Sequence, residues 1–495
     1  MKAGEGLLKK SAPERVRRAG ARCGPALRRA GAAALALWLG ACSLAPHRNP
    51  PLPALPAGWN DPVLDGATRP PAADWWRQFG DAELDRLVAR ALDANLDLAL
   101  AAARVEEARA LLAGARAELW PTLDAQADAS RQRGAATTGS GQVRNLYSVA
   151  GVLGYELDLF GRLRSASDAA RARLLESAYT AEAVRLTVVT DVVGAYLDLR
   201  SAERQLVITD ATVSAREQAL ELERARLRLG AGTELTLRQA EAELASSRAL
   251  AASLRDLVSR SGTALAVLTG ATPKALIESA PPPGEFSTLA LPGALPRVLP
   301  SELLQRRPDI RAAEAALRAA DADIGTARAQ WFPRISLTAL IGSDALRVGD
   351  LFGGDAYNWS LGSSLVAPLL DFGRVKAQVR GAEARRQQAE ILYRQTVQTA
   401  FAEVRDALTL LREAQAREQA QTDAVRALER ALALAELQYR SGRGLYLDVL
   451  VAQRSLLSAQ LDQTTAAHDA RLAAATLFKA LGGGWADASA AAAPG

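Results

Sequence analysis

The chain has 495 residues, 49% of them hydrophobic, with a formal net charge of +5 and a pI near 9.3. This basicity does not indicate a nucleic-acid partner, because residues 1–41 alone hold nine Lys or Arg and two Asp or Glu, which leaves the remainder at −2. The only cysteines are Cys23 and Cys42 and the only histidines are His47 and His468, and no phosphate-binding loop or catalytic motif is present. The sequence therefore predicts no enzyme, no cofactor and no metal site.

Residues 1–41 are predicted to be a lipoprotein signal peptide. A basic segment precedes the apolar run GAAALALWLGA, which is too short to span a membrane as a helix. The run ends in Leu39-Gly40-Ala41-Cys42, which resembles a lipobox, so we predict that Cys42 becomes an acylated N-terminus. The alternative is a chance cysteine after a signal sequence. Ser43 differs from the aspartate of an inner-membrane retention signal, which favours sorting to the outer membrane.

Three segments have the composition of connectors. Residues 42–72 are rich in proline and are predicted to form an extended tether after the lipidated cysteine. A second Pro-rich stretch at 281–300 is predicted to link two halves of the chain. Residues 483–495 are of low complexity and are predicted to be disordered.

The two halves are related by a shift of 212 residues. YELDLFGRLR around Gly161 recurs as APLLDFGRVK around Gly373. Other residues follow the same shift: Asp97 and Asp309, Pro121 and Pro333, Gly230 and Gly442, Leu235 and Leu447, and Gly270 and Gly482. This regularity indicates internal duplication, with one repeat at 73–280 and the other at 301–482.

Each repeat is predicted to contain one very long helix. No proline occurs from Thr122 to Thr272 or from Leu369 to Ala493. Hydrophobic residues recur every seven positions from Val192 to Leu227, and the shifted column is broken once, by Glu418. The predicted helices are the long pair 162–229 and 374–440, the return helices 235–269 and 447–481, and the shorter helices 83–118 and 302–330. The long helices would each measure roughly 100 Å.

Strands are predicted between the shorter helix and the long helix of each repeat. The segments are 119–130, 146–159, 334–343 and 357–370. Apolar and polar residues alternate in them over a length that could cross a bilayer, although a soluble two-sheet core would show the same alternation. Four strands cannot close a barrel, so in a membrane several chains would have to share one. The predicted fold is mainly α, with long coiled-coil hairpins and a membrane β-barrel.

Several stretches resemble the TolC-like outer membrane efflux proteins, in particular the lipoprotein (NodT/OprM-type) branch of RND efflux systems. They are WWRQFGDAELDRLV, ELDLFGR, LPSELLQRRPDIRAAEAALRAADADIGTARAQWFPRISL and YRSGRGLYLDVLVAQRSLLSAQ. The resemblance implies a homotrimer in which each chain contributes four transmembrane strands to one 12-stranded β-barrel. A periplasmic α-helical barrel would lie below it.

The resemblance also implies a function and partners. The trimer would be a passive exit duct, located in the outer membrane and extending into the periplasm. It would receive drugs or other small toxic compounds from an inner-membrane RND-type transporter through a periplasmic adaptor. One alternative is the outer membrane duct of a type I protein secretion system, and a less favoured one is a periplasmic coiled-coil scaffold without a pore.

The residues expected to act lie at the periplasmic tips of the hairpins. The tip positions implied to contact the adaptor are Gly230, Gly232, Gly442, Arg443 and Gly444. By resemblance, Asp448 matches an acidic ring of the gate and Tyr439 an aromatic gating position. Alternatively, Asp448 is a helix-start carboxylate that complements the helix dipole. Tyr439 could likewise be a packing residue of the heptad column.

Overall fold

The computed structural model describes residues 44–46, 54–59, 71–133, 142–278, 284–286, 289–293, 295 and 297–485. The predicted acylation site Cys42, most of the Pro-rich tether and residues 486–495 lie outside this part of the chain.

The fold is mainly helical and contains one small sheet, as the sequence predicts. After a short 3-10 helix at Trp75–Phe79, the elements are α1 (Ala82–Ala94), α2 (Leu96–Ala117), β1 (Thr122–Arg133), β2 (Val143–Leu157), α3 (Arg162–Arg228), α4 (Glu234–Leu268), α5 (Pro273–Glu278), α6 (Pro300–Arg306), α7 (Pro308–Ala329), β3 (Arg334–Ala345), β4 (Tyr357–Val366), α8 (Arg374–Arg440) and α9 (Tyr446–Ala480). Among the residues described, no helix has both the length and the apolar character needed to cross a bilayer.

The four strands form one antiparallel sheet in the order β1-β2-β3-β4. Its central pair joins the two repeats, with Tyr147 opposite Ala345 and Leu157 opposite Ile335. The first strand begins later than the predicted 119, because the amide of Trp120 still bonds to the carbonyl of Ala117 in the turn after α2. The fourth strand ends at Val366 rather than 370, opposite the first residue of β3.

The shorter helices are each divided in two, where the sequence predicts continuous helices over 83–118 and 302–330. The break in the first repeat is at Asn95, whose side chain accepts hydrogen bonds from the amides of Asp97 at 2.9 Å and Leu98 at 3.1 Å and so caps α2. The break in the second repeat is at Arg307, the equivalent position under the shift of 212. The proline at 308 disfavours a helical conformation for the residue before it.

The main core lies midway along the long helices, where both repeats meet. Trp75 stacks on Phe478 with ring centroids 5.0 Å apart, and both belong to a buried cluster that includes Tyr196. A second cluster, which includes Val404 and Leu477, belongs to the second repeat.

The heptad column faces the interior of the molecule in both repeats. None of its twelve positions from Val192 to Leu227 and from Val404 to Tyr439 is exposed. The charged interruption at Glu418 is satisfied by Arg471 of α9, with 3.1 Å between the paired atoms. The break in the hydrophobic pattern is therefore an ion pair between packed helices.

Candidate functional site at the hairpin tips

The two hairpins end in equivalent turns. Gly230 and Gly442 have φ of +71° and +72°, a left-handed conformation that glycine adopts at the end of a helix. After Gly442, the amide of Arg443 donates to the carbonyl of Gln438 at 2.9 Å, which closes the last turn of α8. A Cβ atom at either of the two glycines would meet no heavy atom within 4 Å. These positions therefore point into open space.

The second glycine of each turn has a different constraint. A Cβ on Gly232 would lie 3.2 Å from the Cβ of Arg226, and one on Gly444 would lie 3.0 Å from the Cβ of Gln438. These glycines let the chain pass close to the end of the preceding helix. Replacing them would disturb the turn itself.

Asp448 lies on the exposed side of the first turn of α9. Its carboxylate accepts a hydrogen bond from the amide of Leu445 at 3.1 Å, so it stabilises the start of the helix. Within the described part of the chain, no hydrogen bond or ion pair joins Asp448 to Tyr439. The structure supports the helix-start interpretation of Asp448, and its solvent-facing carboxylate is also compatible with a charged ring.

Tyr439 joins the two hairpins to each other. Its hydroxyl donates to Oε1 of Glu223 on α3 at 2.8 Å, and the guanidinium of Arg226 lies 4.6 Å from its ring centroid. Burial and the hydrogen bond to Glu223 raise the pKa of Tyr439 to about 12. Its ring also contacts that of Tyr446, with centroids 5.4 Å apart. Tyr439 thus both packs and forms a polar contact.

A second polar link lies one step further from the tip. Glu243 of α4 is 4% exposed and pairs with Arg216 of α3 at 3.0 Å. It also accepts a hydrogen bond at 2.6 Å from Nε of Arg454 on α9. Burial lowers the pKa of Arg216 even though Glu243 opposes this effect. One buried carboxylate therefore holds guanidinium groups from both hairpins.

A small hydrophobic cluster separates the two polar links. Its buried members are Leu220, Ala240, Leu244, Tyr446 and Leu450. Each hairpin contributes side chains to this cluster, so the tips pack together as well as bonding to each other. The arrangement can hold the two hairpins in contact, and it can release them if the polar links are broken.

Glu223, Arg216 and Glu243 are not predicted from the sequence, although part of the signal is present. The positions three residues after the heptad column form a second column, which holds Ala202, Thr209, Arg216 and Glu223, all buried. Charged residues in such a column leave the coiled-coil seam incomplete. This irregularity marks the residues that link the hairpins.

Comparison with known proteins is consistent with the duplicated architecture. The family model described as outer membrane efflux protein matches residues 87–271 and 299–483. Both ends of these two ranges differ by 212, the shift of the internal repeat.

Individual relatives match over nearly the whole chain. Outer membrane protein OprJ of Pseudomonas aeruginosa is 38% identical over 466 residues, covering 91% of this chain and 95% of its own. Solvent efflux pump outer membrane protein SrpC of Pseudomonas putida is 36% identical, covering 91% and 97%. The crystal structure of the CmeC outer membrane channel of Campylobacter jejuni superposes with a TM-score of 0.86 at 25% identity, covering 91% and 97%.

Proposed function

Because the chain belongs to the outer membrane efflux protein family, we propose that it is the passive exit duct of a tripartite efflux pump. An RND-type transporter of the inner membrane would supply the cargo, and a periplasmic adaptor would join that transporter to the hairpin tips. The cargo would be drugs or other small toxic compounds. The relative SrpC is named for a solvent efflux pump, which supports small apolar molecules as one class of cargo.

The observation that carries this proposal is the separation of the sheet from the tips. The sheet leads directly into α3, a helix of 67 residues that ends at the first tip. Such a helix is roughly 100 Å long. One chain therefore has strands suited to a membrane at one end and paired hairpins suited to a partner protein at the other.

A duct built from this sheet requires more than one chain. The strands β1 and β4 are the two edges of the sheet, and an unpaired edge is not stable in the hydrocarbon of a membrane. We infer a homotrimer, in which three sheets would close a barrel of twelve strands. The helices would continue this barrel into the periplasm.

Acylation of Cys42 would add an anchor beside the sheet. The carbonyl of Leu44 accepts a hydrogen bond from Arg328 at 3.4 Å, near the end of α7 that leads into β3. A lipid on Cys42, two residues earlier, would therefore lie within reach of the outer membrane. The intact mass of the mature protein should show acyl chains on a protein that begins at Cys42, and an unmodified mass would contradict this part of the proposal.

The tips would form the periplasmic entrance. Tyr439 and Asp448 are proposed as gate residues, the first through its bond to Glu223 and the second through its exposed charge. The outward-facing turns at Gly230 and Gly442, together with the neighbouring Arg443, would contact the adaptor. Gly232 and Gly444 would support this contact by keeping the turns tight.

The function is tested with the full-length protein in detergent and in planar bilayers. We expect it to require detergent for extraction, to sediment as three chains and to conduct ions across the bilayer. A chain that is extracted without detergent and does not conduct would instead be a periplasmic scaffold. In cells, deletion of the gene should increase accumulation of a fluorescent efflux substrate, and the intact gene should restore its export.

A further inference from the structure

Two strands of the sheet have an edge that no other strand of the described chain covers. All residues of β1 and nearly all of β4 are exposed, whereas most residues of β3 and much of β2 are partly covered. The exposed side chains of β4 include Leu361 at 76% and Leu365 at 64%. These two edges are where a second copy of the chain would pair.

The pairing of the strands repeats with the sequence. In the pair β1–β2, the numbers of opposed residues always add to 276, as for Thr122 and Gly154. In the pair β3–β4 they add to 700, as for Arg334 and Val366. The difference of 424 between these totals is twice 212. The duplication has therefore preserved the register of the hairpins as well as their sequence.

The contact between repeats can be transferred in the same way. Within the chain, β2 of the first repeat pairs with β3 of the second, and opposed numbers add to 492, as for Val152 and Leu340. A shift of 212 moves β2 onto β4, and the reverse shift moves β3 onto β1. The sum of 492 stays the same when one number rises by 212 and the other falls by it.

We propose that β4 pairs with β1 of a neighbouring copy in this transferred register, which rests on the shared barrel of the proposed function. Opposed residues of the two copies add to 492, so Ser364 faces Asp128 of the neighbouring copy and Leu365 faces Ala127. The pairing extends past Val366 to Leu369, which faces Leu123. The strand would thus become longer in the assembly than it is in one chain.

The alternation of side chains provides an independent check. In β1 the odd-numbered positions 123 to 129 are Leu or Ala, and the even-numbered ones are polar. In β4, Trp359, Leu361 and Leu365 are also at odd-numbered positions. An even total places odd opposite odd, so the apolar faces meet. A slip of one residue would place Asp128 opposite Leu365 and exchange the two faces.

The helices next to the sheet show the same missing neighbour. Within the chain, α3 packs along α7, where Tyr179 is 6% exposed and contacts Arg311. The shifted position of Tyr179 is Ile391 on α8, which is 56% exposed. Similarly, Pro308 is buried, whereas its counterpart Leu96 on α2 is 79% exposed. These apolar residues would be covered if α8 packed on α2 of the neighbouring copy.

The register is tested by disulfide cross-linking of paired cysteines. The variant Ser364→Cys with Asp128→Cys joins opposed positions, whereas Ser364→Cys with Gln126→Cys or with Ser130→Cys tests slips of two residues. Diagonal neighbours lie about 7–8 Å apart, beyond the usual reach of a disulfide. The matched control is Val152→Cys with Leu340→Cys, which are opposed within the chain and should form a disulfide without joining chains. Cys42 stays in every variant.

We expect an added oxidant to convert the 364–128 variant into covalent trimers, with severalfold less cross-linking in the two slipped variants. Stronger cross-linking of a slipped pair in a sample that sediments as three chains would overturn the register and leave the exit-duct proposal standing. The same holds if the control is oxidised and the 364–128 variant of the trimer stays uncrosslinked. Sedimentation as single chains would overturn both the register and the shared barrel.

Discussion

The hydroxyl of Tyr439 lies 2.8 Å from the carboxylate of Glu223 and donates a hydrogen bond to it, which joins residues 216 positions apart. Glu223 is 2% exposed and its carboxylate is 3.5 Å from the guanidinium of Arg226. Tyr439 is on the second hairpin and Glu223 on the first. This bond therefore has to break if the hairpins are to separate at their tips.

The first prediction is that Tyr439→Phe favours an open entrance. The variant keeps the ring and its contact with Arg226 but loses the hydrogen bond to a buried charge. Such bonds contribute about 1.5–3 kcal/mol, or roughly 10- to 100-fold in an equilibrium. Planar-bilayer recordings should show longer or more frequent openings, with the trimer unchanged.

The matched control for this variant is Tyr446→Phe. Tyr446 is 8% exposed and its ring contacts that of Tyr439, but its hydroxyl makes no hydrogen bond to Glu223 in the described part of the chain. Equal effects of the two substitutions would show that loss of a buried hydroxyl, and not the bond between hairpins, changes the channel.

The second prediction separates the charge of Asp448 from its role in the helix. Asp448→Asn removes the charge but keeps an oxygen that can accept the hydrogen bond from Leu445. Asp448→Ala removes both, at a cost on the order of 1 kcal/mol, as for other helix-capping bonds. If Asp448 forms an acidic ring, both variants should lower cation selectivity in planar bilayers, because such rings favour cations.

The control is Asp97→Asn, which changes a carboxylate in the first turn of α2, far from the tips. It should leave ion selectivity as it is. A loss of stability in Asp448→Ala without any change of selectivity in either Asp448 variant would leave the helix-start role alone.

The sequence predicts the elements well and the contacts between them poorly. The long helices follow from heptads and from the lack of proline, which are properties of neighbouring residues. The breaks at Asn95 and Arg307 are missed, because the first depends on a side chain capping the next helix and the second on the choice of boundary before Pro308. Glu223 is missed because its partner Tyr439 is brought to it only by the packing of two hairpins.

The third prediction concerns adaptor docking at Gly442. This residue has φ of +72° and open space beside it, so Gly442→Asn keeps the turn, because asparagine tolerates this conformation, and adds an outward side chain. We expect normal conductance and a folded trimer, but reduced efflux in cells. Gly444→Ala instead crowds Gln438 and should disturb the turn itself. Full efflux by Gly442→Asn would contradict docking at this turn.

The fourth prediction concerns pH and His468. Burial lowers the pKa of this histidine, but hydrogen bonds to Asp198 at 2.8 Å and Asp469 at 3.2 Å outweigh burial and raise it above 6.5. Asp469 also pairs with Arg417 at 3.0 Å. The protonated form is thus favoured in the folded state. Its contribution to stability is fully present below pH 6.5 and is lost as the pH rises through the raised pKa.

Thermal melting should detect this contribution. The melting temperature of the unmodified protein should fall more between about pH 6 and about pH 9 than that of His468→Gln, which cannot titrate in this range. Parallel pH profiles of the two proteins would show that His468 has the same pKa in the folded and unfolded chains.

The fifth prediction concerns Glu243, the buried carboxylate shared by Arg216 and Arg454. Glu243→Ala would leave the buried guanidinium of Arg216 without its carboxylate partner, and breaking a buried pair in this way costs about 3–5 kcal/mol. The cost falls on the ends of the hairpins, since all three residues lie there. Hydrogen exchange measured by mass spectrometry should therefore become faster at the two turns, residues 229–233 and 441–445, while the sheet stays protected.

Two further variants isolate the cause. Glu241→Ala removes a carboxylate from the same helix that pairs with Arg238 at 2.9 Å near the surface, where ion pairs contribute little. It should change the exchange at the turns much less. Combining Glu243→Leu with Arg216→Met replaces both charges with apolar groups and should restore much of the protection, because an apolar pair can match a buried ion pair in stability. Equal exchange in Glu243→Ala and Glu241→Ala would mean that the shared carboxylate does not hold the hairpins together.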